Sequence, residues 1–334
     1  MYRYRYITGA LARLALACLC ALPAPPGRAQ EPFPSKAVQL IVPFPPGGAL
    51  DIVSRRLAEK YREDWGQPVV VVNRPGANGV LAWQNLLNTS PDGYSVLAAG
   101  GQGLGYVHLM NPSVPGRFID QFTAVAAFAS YPLVILVHKD VPASGLRELA
   151  AQAMRNPKAL NYGTTGAGSG GHLLFELFKS AAGVPDEALP AVHYAGIAPE
   201  IAALVAGQIQ VAIMPLTSIA AAQVDAGAIR ALAVTAPNRS PFRKEIPTVV
   251  EQGFAGLAAK DYISHWVLAK TPAPIVKKLA DAARNATANA ETRKKIEELY
   301  LEAEFLDGPE LRRQFETRAA EFEPVVRRLN LRTQ

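Results

Sequence analysis

From residue 38 onward, short apolar runs alternate with amphipathic stretches. "VQLIVPF" (38–44) predicts a buried strand. The segment after it sets Val53, Leu57, Tyr61 and Trp65 four apart, with Arg55, Arg56, Lys60 and Arg62 elsewhere, which is helix spacing. "PVVVV" (68–72), "YSVLAAG" (94–100), "LVILVH" (133–138), "IQVAIMP" (209–215) and "ALAVTA" (231–236) predict further strands, as does the short run at 159–162. Helical stretches separate several of them, including "GLRELAAQAM" with Ser144 placed to cap it. Strands alternating with helices predict an α/β chain with parallel sheets. The last sixty residues read as helices. The final one carries Leu311, Phe315, Ala319, Phe322 and Val326 as its stripe, and Pro324 is expected to end or kink it near Phe322.

The first thirty residues break this pattern. Arg3 and Arg5 precede the apolar "LARLALACLCALPAP", and "PGRAQ" supplies small residues, so residues 1–29 read as a secretory signal peptide cut after Ala29. That run is too short to span a membrane. Export changes two other readings. Both cysteines, Cys18 and Cys20, fall in the leader, which leaves no thiol for disulfides, zinc or nucleophilic chemistry. Four of the 34 basic residues also fall there with no acid, so the remainder holds 30 basic against 28 acidic residues and gives no case for nucleic acid. The roughly 305 residues left suit two domains.

Two strand–glycine–helix turns carry the candidate chemistry. In "NYGTTGAGSGGHLLFELF", Gly166, Gly168 and Gly171 match the G-x-G-x-x-G spacing of a dinucleotide turn, a weak signal alone. In "VQLIVPFPPGGALDIVSRRLAEKY", Pro43, Pro45, Pro46, Gly47 and Gly48 form a tight turn, and Asp51 stands where a cap or first-turn acid would. Each turn offers unpaired N–H groups and a positive helix end, worth roughly 0.3–1 kcal/mol to an exposed anion and about 2 when partly buried. Two such turns, one in each half, could close on one small anion.

The stretches "PSKAVQLIVPFPPGGALDIVSRRLAEKYREDWGQPVVVVNRPGANG", "SPDGYSVL", "NPKALNYGTTGAGSGGHL", "IRALAVTAPNRS" and "IPTVVEQGF" resemble, in order, the Bug-type extracytoplasmic receptors of tripartite tricarboxylate transporters. The resemblance implies a type II periplasmic-binding-protein fold: two α/β domains with a ligand cleft between them, at 31–130 plus 246–334 and at 131–245. It implies a monomeric receptor for a small organic carboxylate, delivering it to membrane permease subunits, with no cofactor, metal or catalysis. Gly47, Gly48 and Ala49 would present N–H groups, Phe44 would shape the wall, and Asp51 would hold the turn. Across the cleft, the Gly168 turn would supply hydroxyls from Thr164, Thr165 and Ser169, while His172 would either touch the ligand or fix the loop. Gly100 and Gly101 in "GGQGLGY" and Tyr194 in "VHYAG" would line the part that reads the ligand's distal end. These segments, and Pro215-Leu216-Thr217, depart from the more polar choices of relatives, which implies a less polar distal group.

Other classes fit less well. An NAD enzyme would need an acid about 20 residues on from the turn; Asp186 and Glu187 stand near that spacing, but in an exported chain. Ala167 precedes Ser169 by two, so G-x-S-x-G is absent. The five histidines show no zinc spacing. A receptor that docks on a sensor-kinase ectodomain would share every feature of a transport receptor.

Overall fold

In the computed structural model, residues 32–76, 79–101, 103–110, 114 and 116–331 are described; the expected signal peptide lies outside them. Strands Val38–Val42 (β1), Val69–Asn73 (β2) and Ser95–Gly100 (β3) pair in parallel. Helices Ala49–Trp65 (α1) and Val80–Leu87 (α2) connect them. The four-residue spacing of α1 does what the sequence implies: Val53, Leu57 and Tyr61 are buried, and Gly66 ends the helix at φ 64°.

Helix Gly103–Met110 (α3) follows β3, and the chain then runs along a long strand, Phe122–Tyr131 (β4). One residue, Pro132, separates β4 from Leu133–His138 (β5), which belongs to a second sheet. That sheet adds Tyr162–Thr164 (β6), Ala191–His193 (β7), Val211–Pro215 (β8) and Ile229–Val234 (β9). Its helices are Leu146–Arg155 (α4), Gly170–Ala182 (α5), Ile197–Val205 (α6) and Ser218–Asp225 (α7). Strand Asp261–Leu268 (β10) returns to the first sheet, followed by Ala273–Ala288 (α8), Ala290–Glu297 (α9), Leu306–Asp307 (β11) and Gly308–Arg328 (α10).

The strand orders are β11-β4-β10-β3-β1-β2 and β7-β6-β8-β5-β9. Neither sheet is wholly parallel, which corrects the expectation from sequence. β10 runs antiparallel to β3 and β4, and β5 antiparallel to β8 and β9. The cause is the pair of crossings: a strand arriving directly from the other sheet has no crossover helix to turn it parallel.

Of the two outcomes expected at Pro324, an end to the helix does not occur: α10 continues through it to Arg328. Proline inside a helix costs about 3 kcal/mol. Burial of Phe322, Val325 and Val326 in the core beside the second sheet returns roughly 1.5–3 kcal/mol each, so packing wins. The same helix buries Leu311 and Phe315 in the first sheet's core and therefore packs on both. Gly105 permits the close approach of α3, since a Cβ there would lie 2.8 Å from the Phe315 carbonyl oxygen.

Candidate functional site

The first glycine turn is tied down by Asp51. Its carboxylate accepts the Gly47 N–H at 3.0 Å, Nδ2 of Asn73 at 2.9 Å, and two bonds from the Arg55 guanidinium at 2.9 and 3.0 Å. Asn73 also donates to the Phe44 carbonyl at 3.0 Å, so β2 braces the turn. Burial pushes the Asp51 carboxyl up, but the bonds from Arg55, Gly47 and Asn73 outweigh it and hold the pKa below the usual value. The turn itself, from Phe44 to Ala49, is exposed. Gly47 needs to be glycine because its φ is +91°; Gly48, at φ −76°, caps α1 with no side chain, and open space lies over both.

This arrangement revises one expectation. The Gly47 N–H, expected to face a ligand, is already bonded to Asp51. The first bond of α1 runs from Ile52 N–H to the Gly48 carbonyl, so the N–H groups of Ala49 and Leu50 precede the helix's own ladder.

The second turn is held from within as well. Ser169 caps α5 by accepting the His172 N–H at 3.2 Å, and Nδ1 of His172 accepts the Gly168 N–H at 3.0 Å. Neutral His172 therefore carries its proton on Nε2. Burial first, then His193, push its pKa down to about 4; the two rings meet edge to face at 4.7 Å. His172 thus fixes the loop, one of the two roles left open for it.

Thr164 is fully buried, with its hydroxyl 2.8 Å from Nδ1 of His193 and 3.1 Å from the Gly166 carbonyl. Its hydroxyl, expected to donate to a ligand, braces the turn instead. Gly168 is likewise buried, at φ +70° beneath the Met110 thioether, with its N–H spent on His172. Thr165 and Ser169 remain half-buried at the turn's surface.

Gly100 and Gly101, expected near the ligand's distal end, lie beside residues not expected in the site, Tyr106, Tyr131 and Asp261. Gly100 lies against Leu50 in the first turn of α1: a Cβ on Gly100 would be 3.5 Å from Leu50 Cδ2. Asp261, at the start of β10, brings Oδ2 within 3.5 Å of the Cβ position of Gly101 and 3.6 Å of that of Gly170. The Tyr131 hydroxyl lies 3.7 Å from the former and the Tyr106 hydroxyl 3.4 Å from the latter. Burial, and then the Asp261 charge, raise both phenols well above their ordinary pKa, so they keep their protons.

Tyr194 stands on the other side of β6, its ring 3.4 Å from the Cβ position of Gly163, and its N–H donates to the Thr164 carbonyl. Beneath it, Glu200 of α6 is 0% exposed and neither carboxyl oxygen has a hydrogen-bond partner. The Ile213 N–H pulls the other way without reaching bonding geometry, and burial pushes the Glu200 pKa up to about 8.

Among the described residues no group of three or more His, Cys, Asp or Glu could hold a metal, and no helix is long and apolar enough to cross a membrane. A cavity of about 680 Å³ lies elsewhere, between α4, the end of α5 and the turn at 253–257, lined by Met154, Leu177, Phe254 and Leu257 with Arg147.

The family described as Tripartite tricarboxylate transporter family receptor matches residues 53–331. Protein BugT of Bordetella pertussis is 31% identical over 235 residues, 70% of this chain and 71% of that protein. A solved structure described as R. palustris Rpa4515 with adipate is 30% identical with a TM-score of 0.76, covering 88% of this chain and 97% of that one. MatC of Rhodopseudomonas palustris with bound malate is 26% identical with a TM-score of 0.71, covering 88% of this chain and all of that one. The chain therefore belongs to the tripartite tricarboxylate transporter receptors, a family of Bug-type periplasmic binding proteins, and has their two-domain, type II periplasmic-binding-protein fold.

Proposed function

We propose that this protein is an exported, monomeric receptor that captures a small organic carboxylate by domain closure and passes it to the permease subunits of a tripartite tricarboxylate-type transporter, without catalysing a reaction. The signal peptide at 1–29 would direct it to the periplasm. One domain would comprise 31–130 and 246–334, the other 131–245. The observation that carries the reading is the pair of glycine-turn helix starts, one beside each sheet, with Leu50 of the first against Gly100, and Asp261 beside both Gly101 and Gly170 of the second. Only a closed form lets both reach one carboxylate, so the ligand binds that form preferentially and shifts the population toward it.

In this reading Gly48 and Ala49 offer N–H groups from the first domain, with Gly47 shaping the turn and Phe44 the wall. Asp51, Gly168, Thr164 and His172 hold the two turns in shape. Thr165 and Ser169 offer hydroxyls, while Gly100, Gly101 and Tyr194 border the remainder of the ligand. Adipate and malate, named with two of the similar structures, are both dicarboxylates, which supports an acid of this size class.

The test is a melting-temperature panel on residues 30–334 with mono-, di- and tricarboxylates, aromatic acids, acidic amino acids and NAD. A ligand at 100 times its Kd adds about 2.7 kcal/mol, which raises Tm by several degrees. A shift with one class of carboxylate and none with NAD is the expected result. A shift with NAD alone would overturn the proposal.

A further inference from the structure

We infer that the cavity between α4, the end of α5 and the turn at 253–257 is a second ligand site, separate from the glycine turns. It takes a medium-chain aliphatic carboxylate, with the anionic head at Arg147 and the apolar tail towards Met154. The inference does not depend on the carboxylate-receptor reading.

The periodicity of α4 builds one wall of this cavity. Arg147, Ala150 and Met154 stand three and four residues apart and share one face of the helix, while Leu146, Leu149 and Ala153 turn into the core. Two helical turns, roughly 10 Å along the axis, separate Arg147 from Met154. Leu177 of α5, with Phe254 and Leu257 of the turn, supplies the other walls. The volume of about 680 Å³ falls within the roughly 300–1,000 Å³ of small-molecule sites.

Charge sets the head group. Arg147 lines the cavity and no acid does. Its guanidinium folds over Gly253, with one nitrogen 2.6 Å from where a side chain there would begin, so a glycine at 253 leaves it room. Among the described residues Arg147 has neither a hydrogen bond nor an ion pair. The nearest acids along the chain are engaged elsewhere: Glu148 accepts from Ser144, and Glu251 from Arg239. A guanidinium fork matches a carboxylate, the pairing of the stronger, charge-assisted kind.

The apolar walls set the tail. Met154 is 45% exposed, and Leu177 and Phe254 are half-buried, so hydrocarbon borders the cavity beyond the guanidinium. A thioether adapts its shape to an alkyl chain. Acetate would reach the guanidinium alone, and an exposed ion pair by itself contributes little. A neutral chain would cover the apolar walls and leave Arg147 unpaired. A molecule with both parts uses the whole site.

The test is titration calorimetry on residues 30–334 with octanoate, octan-1-ol and acetate. Octanoate should bind about tenfold or more tightly than either of the others. Arg147→Gln should bring octanoate within about threefold of octan-1-ol, and Met154→Asp, which sets a negative charge at the tail end, should weaken octanoate about tenfold or more. Both side chains are exposed, so both variants should keep the wild-type Tm. Asp51→Ala, which disturbs the first glycine turn, should leave octanoate affinity unchanged. Octanoate that binds no better than octan-1-ol or acetate overturns the inference, and this arm needs no variant to fold. An affinity that survives either Arg147→Gln or Met154→Asp also overturns it. Loss of octanoate binding in Asp51→Ala would place that acid at the glycine turns instead and overturn the second site. A dimer in sedimentation velocity that Met154→Asp splits would give this face to a second copy of the chain, with the same result.

Discussion

Stability is expected to fall as pH rises from 5 to 8 through the titration of Glu200, and replacing Glu200 by glutamine should remove that fall. The carboxyl is fully buried beneath Gly163, its Cγ 3.1 Å from where a side chain on that glycine would begin, and both oxygens lack partners. Water is gone and nothing replaces it, so the neutral acid is favoured and the pKa rises from 4.5 to about 8.

The consequence for stability has a definite sign. Because the folded pKa lies above the unfolded one, the folded state holds this proton more tightly. The associated stability is complete below about pH 4.5, declines as pH rises, and is gone above about pH 8. A shift of that size corresponds to about 5 kcal/mol in all, most of it lost between pH 5 and pH 8.

The assay is urea unfolding of wild-type protein and Glu200→Gln at intervals across that range. Every other titrating group is common to both, so the difference between the two curves isolates Glu200. Glutamine should be the less stable protein at pH 5, where its buried amide is unpaired, and should gain on wild type as the pH rises. Parallel curves would refute the reasoning, since they would mean that Glu200 has the same pKa folded and unfolded. Glu200→Met, which removes the polar group altogether, should be stable at both ends of the range.

Four further substitutions test the turns. Asp51→Ala leaves the Gly47 N–H, Asn73 and Arg55 without their shared acceptor; it should keep the fold and weaken carboxylate binding about tenfold or more by calorimetry, as expected for a loss above 1.4 kcal/mol in loop order. Gly48→Ala meets no neighbour and no forbidden φ, so its Tm should match wild type, while a methyl in the open space above the turn should lower ligand affinity. Gly47→Ala, at φ +91°, should by contrast lower Tm by itself. His172 has a folded pKa below its unfolded one, so its contribution to stability is complete above about pH 6.5 and is lost as pH falls towards 4. Binding should weaken over the same window as protonated Nδ1 stops accepting the Gly168 N–H, and His172→Asn should flatten that acid limb.

What could be read from the sequence was whatever depends on neighbours along the chain. The four-residue stripe of α1, the run of β5 and the two strand–glycine–helix turns came through because periodicity, positive-φ glycines and helix caps act over a few residues. Asp51 was legible for the same reason, since its partners Gly47 and Arg55 are four residues away on either side. The strands that join the sheets did not come through. β4 reads "FTAVAAFASY", rich in alanine and buried on both faces, and β10 buries Ser264 and His265, so neither shows the alternation of a strand.

Those two strands carry Tyr131 and Asp261, which is why neither was expected beside Gly101. Nor could the sequence say which N–H groups were already spent. Gly47 and Gly48 look alike in "PPGG", yet the fold gives one to Asp51 and leaves open space over both. Nothing in the sequence marks Glu200 out; it is a buried neutral acid because α6 packs against β6 and β8. Local geometry is written residue by residue, whereas burial and the choice of hydrogen-bond partner depend on separate elements that only the tertiary fold brings together.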